Sequence, residues 1–236
     1  MIEEAASEKA TFSDALSGML NAFVDPQATA KQAVKKGFWI WPLLILCVAV
    51  GIYSWLLAPI RLQVMQTNPP PNLTHEQFEK AYPVIKTFTY AGVIIGPVIV
   101  ILMALLSAWL VNLTCTVVGV QTKFRHVFSL VTACSLITIL QLVASYIVIR
   151  MKGEDIQSVQ ELQPPFGLDI FFSGLKGPLL AILNFFSIFQ IWYILVLGLA
   201  LAYMARTSKG KAFAAITPGW LVPLLFMVVA SFFQPS

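Results

Sequence analysis

Residues 184–211 read NFFSIFQIWYILVLGLALAYMARTSKGK, and this stretch decides the class of the protein. Its first 22 residues, from Asn184 to Ala205, carry no charged side chain. An α-helix rises about 1.5 Å per residue, so this length crosses the roughly 30 Å hydrocarbon core of a bilayer. Three basic residues then follow with no acid among them: Arg206, Lys209 and Lys211. The stretch therefore predicts a transmembrane helix whose basic end faces the cytoplasm.

The composition of the whole chain agrees with membrane class. Of 236 residues, 58% are hydrophobic and only 11% are charged, whereas a soluble domain has about 25% charged residues. The net charge of +4 comes from short basic clusters beside apolar runs. That is the positive-inside pattern of a polytopic membrane protein, and it does not indicate a nucleic-acid partner.

Five apolar runs predict an all-α membrane protein with five transmembrane helices. The predicted spans are about 38–58, 88–117, 127–149, 181–205 and 212–233. Trp39 and Trp41 lie at one end of the first span and Trp55 at the other, as in an aromatic belt. Residues 38–236 then form one transmembrane domain, preceded by a short region of residues 1–37.

Prolines and polar caps predict where several helices begin and end. Pro59 predicts the end of the first span, because proline interrupts a helix. Thr74 and Gln77 fit a capping box for a short helix that leads into the second span. Pro218 and Pro223 predict a kinked or broken fifth span.

The region before the first span predicts two amphipathic helices. Residues 1–10 are polar and predicted to be disordered, and helices are expected over 12–24 and 26–36. Asp25 and Pro26 supply an N-cap and a first-turn proline for the second helix. These helices either lie in the membrane interface or form a soluble cap on the loops. The acidic start of the chain predicts a first span that is an anchor and not a cleaved signal peptide.

The residues that usually carry chemistry are sparse. Cys47, Cys115 and Cys134 all lie in apolar runs, and His75 and His126 fall at opposite ends of the predicted spans. This pattern predicts no disulfide, no metal site and no cofactor. No catalytic motif is present, and the predicted membrane interior contains no ionisable residue except cysteine and tyrosine. The chain is therefore predicted to be neither an enzyme nor an ion-coupled transporter.

Basic residues predict the orientation of the spans. Three segments near span ends contain eight bases and no acid: Lys31, Lys35, Lys36, Lys123, Arg125, Arg206, Lys209 and Lys211. We call this set the basic face. It is predicted to be cytoplasmic and to contact anionic lipid headgroups at the inner cell membrane. Five spans then place the N-terminus in the cytoplasm and the C-terminus outside it.

Amide and hydroxyl side chains predict a polar seam between the second, third and fourth spans. Its members are Asn112, Thr132, Ser135, Thr138, Gln141, Asn184, Ser187 and Gln190. One interpretation is that these groups only hydrogen-bond helices together, for about 0.6–2 kcal/mol each. The other is that they line a path for a substrate or a lipid headgroup.

Several short motifs, in order along the chain, resemble those of the Yip1 family. They are Phe23-Val-Asp-Pro26, Trp39-Ile-Trp-Pro42, Lys123-Phe-Arg-His-Val-Phe128, Asn184-Phe-Phe-Ser-Ile-Phe-Gln-Ile-Trp192, Leu197-Gly-Leu199 and Ser208-Lys-Gly-Lys-Ala212. The resemblance implies five transmembrane helices and a cytoplasmic N-terminus. Eukaryotic members act in vesicle traffic and contact small GTPases through long N-terminal regions, whereas some bacterial members work beside ABC exporters. Asn184 departs from the pattern, since many relatives have an acid there.

The leading hypothesis is a non-enzymatic membrane protein that acts as an accessory or assembly partner in membrane transport or trafficking, with an ABC exporter as its candidate partner. The alternative is a transporter or lipid-handling protein that uses the polar seam. A third is membrane shaping by the two N-terminal helices. Self-association into a homo-oligomer is a further expectation that the sequence leaves open.

Overall fold

A computed structural model describes residues 7–69, 74–156, 158–162, 166–172 and 177–232 of the chain. Every regular element in these ranges is a helix. The helices are α1 (Phe12–Asn21), α2 (Pro26–Ala33), α3 (Ile40–Thr67), α4 (His75–Val117), α5 (Phe124–Lys152), α6 (Gly177–Phe185), α7 (Ile188–Met204) and α8 (Lys209–Ser231). Three short 3₁₀ segments lie between α5 and α6, at Gly153–Asp155, Val159–Leu162 and Leu168–Phe171. The all-α membrane class is confirmed.

Contacts divide the chain into two compact units. The first unit contains Met1–Leu46, Leu102–Thr138 and Pro165–Ser236, and the second contains Cys47–Ile101 and Ile139–Pro164. Helices α3, α4 and α5 each contribute residues to both units. Helices α1, α2, α6, α7 and α8 belong to the first unit alone.

The two N-terminal helices begin at side-chain caps. Thr11 and Asp14 form a capping box, in which the Asp14 N–H donates to Thr11 Oγ1 over 3.2 Å. Asp25 accepts hydrogen bonds from the N–H groups of Gln27 and Ala28, each 3.0 Å long, so the predicted cap at Asp25-Pro26 is confirmed. Both helices are a little shorter than predicted.

Helices α1 and α2 pack closely at Gly18. A Cβ atom at Gly18 would lie 2.7 Å from the Phe38 ring, and the Thr29 hydroxyl donates to the Gly18 carbonyl over 3.0 Å. Helix α1 exposes a second apolar face, formed by Phe12, Leu16 and Leu20. That face is compatible with a position in the membrane interface, which stays a prediction.

Residues 7–10 are part of the fold, so the prediction of disorder over 1–10 is wrong for this part. The Lys36 N–H donates to the Glu8 carbonyl over 2.8 Å, and the Ala10 N–H donates to the Lys36 carbonyl over 3.0 Å. These bonds to the end of α2 give the short segment partners that its own sequence does not reveal. Residues 1–6 lie outside the described residues.

The first span is longer than predicted because α3 continues through Pro59 to Thr67. A proline inside a helix costs about 3 kcal/mol. The turns beyond it place Val64 in an apolar cluster with Ile149, Ile156 and Leu162. Each buried aliphatic side chain contributes about 1.5–3 kcal/mol, so this cluster offsets the cost of Pro59.

The second span belongs to a single helix of 43 residues, α4. Its predicted capping box is confirmed, since the Thr74 N–H donates to Gln77 Oε1 over 3.0 Å and the Gln77 N–H to Thr74 Oγ1 over 3.3 Å. A helix of this length extends roughly 65 Å, about twice the hydrocarbon core. Part of α4 must therefore project beyond the membrane.

Helix α5 is the most deeply packed of the candidate spans. Of its most apolar 18-residue window, 56% of residues are buried, compared with 11% in α3, 6% in α4 and 28% in α8. In the first unit, Val111 of α4 lies next to Gly219 of α8, and Phe128 of α5 packs against Trp39. The buried helix of the molecule is thus the predicted third span.

The predicted fourth span, at about 181–205, consists of two helices with a break between them, which the sequence did not predict. Helices α6 and α7 are bent by 54° at residues 186–187. Ser187 caps α7 by accepting the Gln190 N–H over 3.1 Å, and the Ile188 N–H donates to the Phe166 carbonyl over 3.1 Å. The described chain therefore has four candidate spans, or five if the bent pair crosses the membrane as one.

Helix α8 runs without interruption through Pro218 and Pro223, so the fifth span is not broken there, and the alternative prediction of a kink stays a prediction. Proline removes one backbone hydrogen bond, but its fixed φ is compatible with a helix. Contacts with neighbouring helices allow membrane helices to tolerate it. Here α8 packs against both α6 and α7.

Candidate functional site

The buried hydroxyls of the polar seam on α5 are satisfied by their own helix. Thr132 and Ser135 are buried, and the Thr132 hydroxyl donates to the Ser129 carbonyl over 2.9 Å. The Ser135 hydroxyl donates to the Thr132 carbonyl. Thr138, on the same helix, is exposed. These bonds hold the hydroxyl groups against the backbone, so they do not link α5 to another helix.

Three other seam residues bond to their local surroundings. Asn112 accepts a 3.3 Å hydrogen bond from the hydroxyl of Thr122, in the loop that follows α4. Ser187 is used as the cap of α7. Asn184 lies near the end of α6 with its amide nitrogen, in the orientation that satisfies both groups, 2.9 and 2.8 Å from the two carboxylate oxygens of Asp169.

The remaining two seam residues are half-buried and lie in different units. Gln190 is in the first turn of α7, in the first unit, and Gln141 is on α5 in the second unit. The hydrogen bonds of Thr132, Ser135 and Ser187 stay within one helix. The seam as a continuous path or as a bond between helices stays a prediction.

The contact with Asp169 gives a physical reason for the amide at position 184, where the family motif has an acid in many relatives. An acid at this position would bring a second negative charge beside Asp169, with like charges within hydrogen-bond distance. An amide can donate to that carboxylate instead. The position therefore joins α6 to the 3₁₀ segment Leu168–Phe171.

All eight residues of the basic face belong to the first unit. Lys36, Lys123, Lys209 and Lys211 expose their side chains, and Arg206 is also exposed, in the left-handed region at φ 49°. Lys31 lies over the ring of Tyr203 at 5.8 Å from its centroid. The first unit therefore collects the charges that the sequence assigned to the cytoplasmic side.

Lys35 differs from the rest of the basic face. Only 16% of its side chain is exposed, and its ammonium lies 2.9 Å from Asp14 and 3.1 Å from Glu8. This lysine joins the end of α2 to the start of α1. Lys35 thus forms an internal ion pair, which a local sequence pattern does not predict because the partners lie 21 and 27 residues away in the chain.

The pKa values of Asp14 and Lys35 are both shifted in the directions that favour the charged forms. The Thr11 backbone N–H, 2.9 Å from the carboxylate, is the largest cause that lowers the pKa of Asp14 below its usual 3.8, and Lys35 adds to it. The Asp14 carboxylate raises the pKa of Lys35 above its usual 10.5, against the opposing effect of burial.

A cleft of about 390 Å³ opens beside the basic face in the first unit. Its polar wall includes Gln27, Tyr203, Thr207 and Lys209, and Leu199 supplies part of its apolar wall. The cleft joins the start of α2, the end of α7 and the start of α8. It is therefore a surface on which charged and apolar groups adjoin.

No group of three or more His, Cys, Asp or Glu side chains that could hold a metal ion occurs within the described part of the chain. Cys47, Cys115 and Cys134 are free thiols that are buried or half-buried. The described site thus consists of hydroxyl, amide and basic groups.

The motif residues quoted from the sequence pack against one another in the first unit. The Phe23 ring lies 5.0 Å from Trp192, Trp39 lies 5.5 Å from Phe128, and Phe189 lies 5.4 Å from Phe166, all measured between ring centroids. The first two pairs each join motifs that are distant in the sequence, and the third joins a motif residue to Phe166, which lies outside the motifs. These aromatic residues therefore contribute packing contacts.

A comparison with protein families identifies the chain. The model of the Yip1 domain matches residues 20–231. The chain belongs to the Yip1 family. The matched region includes both α2 and α8, so the resemblance seen in the short motifs is confirmed over most of the chain.

A Yip1-type relative of the chain is membrane protein YknW of Bacillus subtilis (strain 168). The two are 29% identical over 202 residues, which cover 83% of this chain and 80% of the relative. No solved structure matches the chain. The similarity supports a polytopic membrane protein of the Yip1 type.

Proposed function

We propose that this Yip1 protein is a non-enzymatic accessory subunit that binds another membrane protein within the bilayer. The observation that carries the proposal is the low burial of two long apolar helices. Only 11% of the most apolar window of α3 and 6% of that of α4 is buried. These helices therefore offer a large lateral surface to a partner helix.

The chemistry of that surface suits a partner as well as lipid. Within the membrane, helices associate through close packing and not through exclusion of water. Side chains such as Ile94, 74% exposed, and Leu102, 59% exposed, are left largely uncovered by the residues that the structure describes. An ABC exporter is the candidate partner that the family resemblance implies, and a lipid-handling role is the alternative.

Site-specific photo-crosslinking tests this proposal. A photoreactive residue at Ile94 should crosslink in native membranes to a membrane subunit of an ATP-hydrolysing transporter. The matched control is Val111, on the same helix but 1% exposed, which should give no crosslink to another protein. Crosslinks from Ile94 to lipid alone, or to a second copy of this chain alone, would contradict the accessory role.

We also propose that the basic face is cytoplasmic and contacts anionic headgroups of the inner cell membrane. The support is the location of all eight of its residues in one unit. Each exposed lysine or arginine near an anionic membrane surface contributes about 1 kcal/mol of attraction. Lys35 is outside this proposal because it is paired internally.

A further inference from the structure

Two neighbouring hollows lie in the second unit. The first, which we call the polar pocket, has a volume of about 230 Å³ and is lined by Tyr53, Ser54, Arg61, Thr89, Gly92 and Leu162, among others. The second, which we call the apolar groove, has a volume of about 250 Å³ and is lined by Ile52, Tyr53, Leu56, Ile139, Val143 and Tyr146, among others. Tyr53 lines both hollows.

Helical spacing places the polar groups of the pocket on common faces. Ser54 and Arg61 are two turns apart on α3, and Thr89 and Gly92 are one turn apart on α4. The 3₁₀ segment Val159–Leu162 supplies a third wall. That wall is held by packing, because Leu162 is buried in the apolar cluster described above.

Arg61 gives the polar pocket its charge. Its side chain is exposed, and it has no ion pair with an acid among the residues that the structure describes. A guanidinium group presents a planar fork of N–H donors that matches the oxygens of a phosphate. Ser54 lines the same pocket, and its hydroxyl can donate a further hydrogen bond to a phosphate oxygen.

The aromatic neighbours of the pocket indicate its depth in the membrane. Trp55 and Tyr90 directly follow Ser54 and Thr89, and their rings lie 6.1 Å apart. Tryptophan and tyrosine concentrate at the level of the lipid headgroups. Arg61 is six residues beyond Trp55 on α3, about 9 Å further along the helix axis, which places it towards the level of the lipid phosphates.

We propose that the polar pocket binds the phosphate group of a phospholipid and that the apolar groove takes one of its acyl chains. The groove is lined almost entirely by carbon atoms, and it adjoins the pocket at Tyr53. A ligand with a phosphate next to a hydrocarbon chain matches this order of surfaces. The site does not depend on the accessory role, because the purified chain can be tested for lipid binding without any partner protein.

Gly92 provides a variant that fills the pocket without disturbing the fold. A Cβ atom at Gly92 would have no neighbour within 4 Å. A leucine there would occupy the pocket and would also favour the helix, because glycine is the poorer helix former. The test therefore uses Gly92→Leu and Arg61→Gln, with Arg150→Gln as a control that removes an exposed arginine of the same unit outside the pocket.

The measurement is native mass spectrometry of the detergent-purified full chain titrated with four probes: long-chain phosphatidylglycerol, dihexanoyl phosphatidylglycerol, diacylglycerol and inorganic phosphate. We expect Arg61→Gln to weaken binding of long-chain phosphatidylglycerol at least about tenfold, as expected for the loss of a charged hydrogen bond. Gly92→Leu should weaken it by a similar factor, and Arg150→Gln should leave it unchanged. Circular dichroism checks that all variants keep their helix content.

The other probes separate the parts of the proposal. Diacylglycerol should bind at least about tenfold more weakly than phosphatidylglycerol, since it lacks the phosphate that the arginine recognises. Inorganic phosphate should not displace the lipid at equal concentration. Equal affinity of wild type, Arg61→Gln and Gly92→Leu for phosphatidylglycerol would overturn the site. Equal affinity for the short-chain lipid would overturn the groove, and displacement by phosphate would show an anion site that is not a lipid site.

Discussion

At the residue scale, Lys35 shows how a charge predicted to lie at the membrane surface can serve the fold. The side chain is mostly covered and lies between Glu8 and Asp14. Burial makes such a lysine costly to leave unpaired, because its charge loses contact with water. Lys36, the next residue, is exposed and uses only its backbone to hold residues 8–10. Two adjacent lysines thus have different physical roles.

We predict that Lys35→Met loosens the contact between α1 and α2, whereas Lys36→Met does not. Each variant removes one positive charge from the same short segment, so they are matched in net charge. Lys35→Met should lower the free energy of unfolding by about 1–2 kcal/mol, because two carboxylates lose their partner. Amide hydrogen exchange at Ala10 and Asp14 should rise in Lys35→Met only. Equal effects of the two variants would contradict this role of Lys35.

The shifted pKa values predict the pH range of the same contact. The pKa of Asp14 is lowered in the folded protein, so its stabilising effect is full above about pH 3.8 and is lost as the pH falls through the folded value. The pKa of Lys35 is raised, so its effect is full below about pH 10.5 and is lost as the pH rises through its folded value. Hydrogen exchange at Ala10, corrected for intrinsic rates, should show constant protection between these limits. In Asp14→Asn, the loss of protection at low pH should disappear.

At the element scale, local signals in the sequence predict helix starts well and helix ends poorly. Asp25-Pro26 and Thr74 with Gln77 cap helices as expected, because a cap depends on residues within one turn. Pro59 does not end α3, and the break near Ser187 contains no proline. Both outcomes depend on distant contacts, at the Val64 cluster and at the Phe166 carbonyl, which a local pattern does not contain.

The same difference between local and distant contacts decides how much of the candidate sites could be predicted from the sequence. The positions of the exposed basic residues could be predicted, because charges beside apolar runs are read directly from the sequence. The polar pocket could not, since Arg61 lay beyond the expected end of the first span at Pro59. The extra turns of α3 place that arginine beside Thr89 and Leu162 in one hollow. The hydrogen bonds of Thr132 and Ser135 were also beyond prediction, because a hydroxyl can bond its own helix or a neighbouring one.

We predict that Gly198→Leu separates α7 from α8. A Cβ atom at Gly198 would lie 2.6 Å from the Phe213 ring, so a larger side chain forces the helices apart. The expected loss of stability is about 1–3 kcal/mol. Gly210→Leu is the control, since nothing lies within 4 Å of its Cβ position. Thermal unfolding in detergent measures the stability of both variants. Adding Phe213→Ala to Gly198→Leu should recover part of the loss. Equal stability of Gly198→Leu and the control would contradict this contact.

At the scale of the whole molecule, the bent pair α6 and α7 decides the topology. If the pair crosses the bilayer as one span, the chain has five spans and its ends lie on opposite sides. If it enters and leaves on the same side, the chain has four spans. The basic face favours five, because Lys31 and Lys209 then lie on one side.

We predict that the N-terminus is cytoplasmic and the C-terminus extracytoplasmic. Single cysteines at Ser7 and Phe232, in a chain whose three native cysteines are replaced by alanine, can be labelled with a membrane-impermeant maleimide. The cysteine at 232 should react in intact cells, and the one at 7 only after the membrane is permeabilised. Reaction of both under the same condition would show that α6 and α7 do not cross as a single span.

The accessory role is the central claim, and the mass of the particle extracted from native membranes tests it most directly. Native mass spectrometry of the affinity-purified chain should show a complex in which the 26.0 kDa protein is present in fixed stoichiometry with an ATP-hydrolysing transporter. A particle of 26.0 kDa, or of whole multiples of that mass with only lipid added, would contradict the claim.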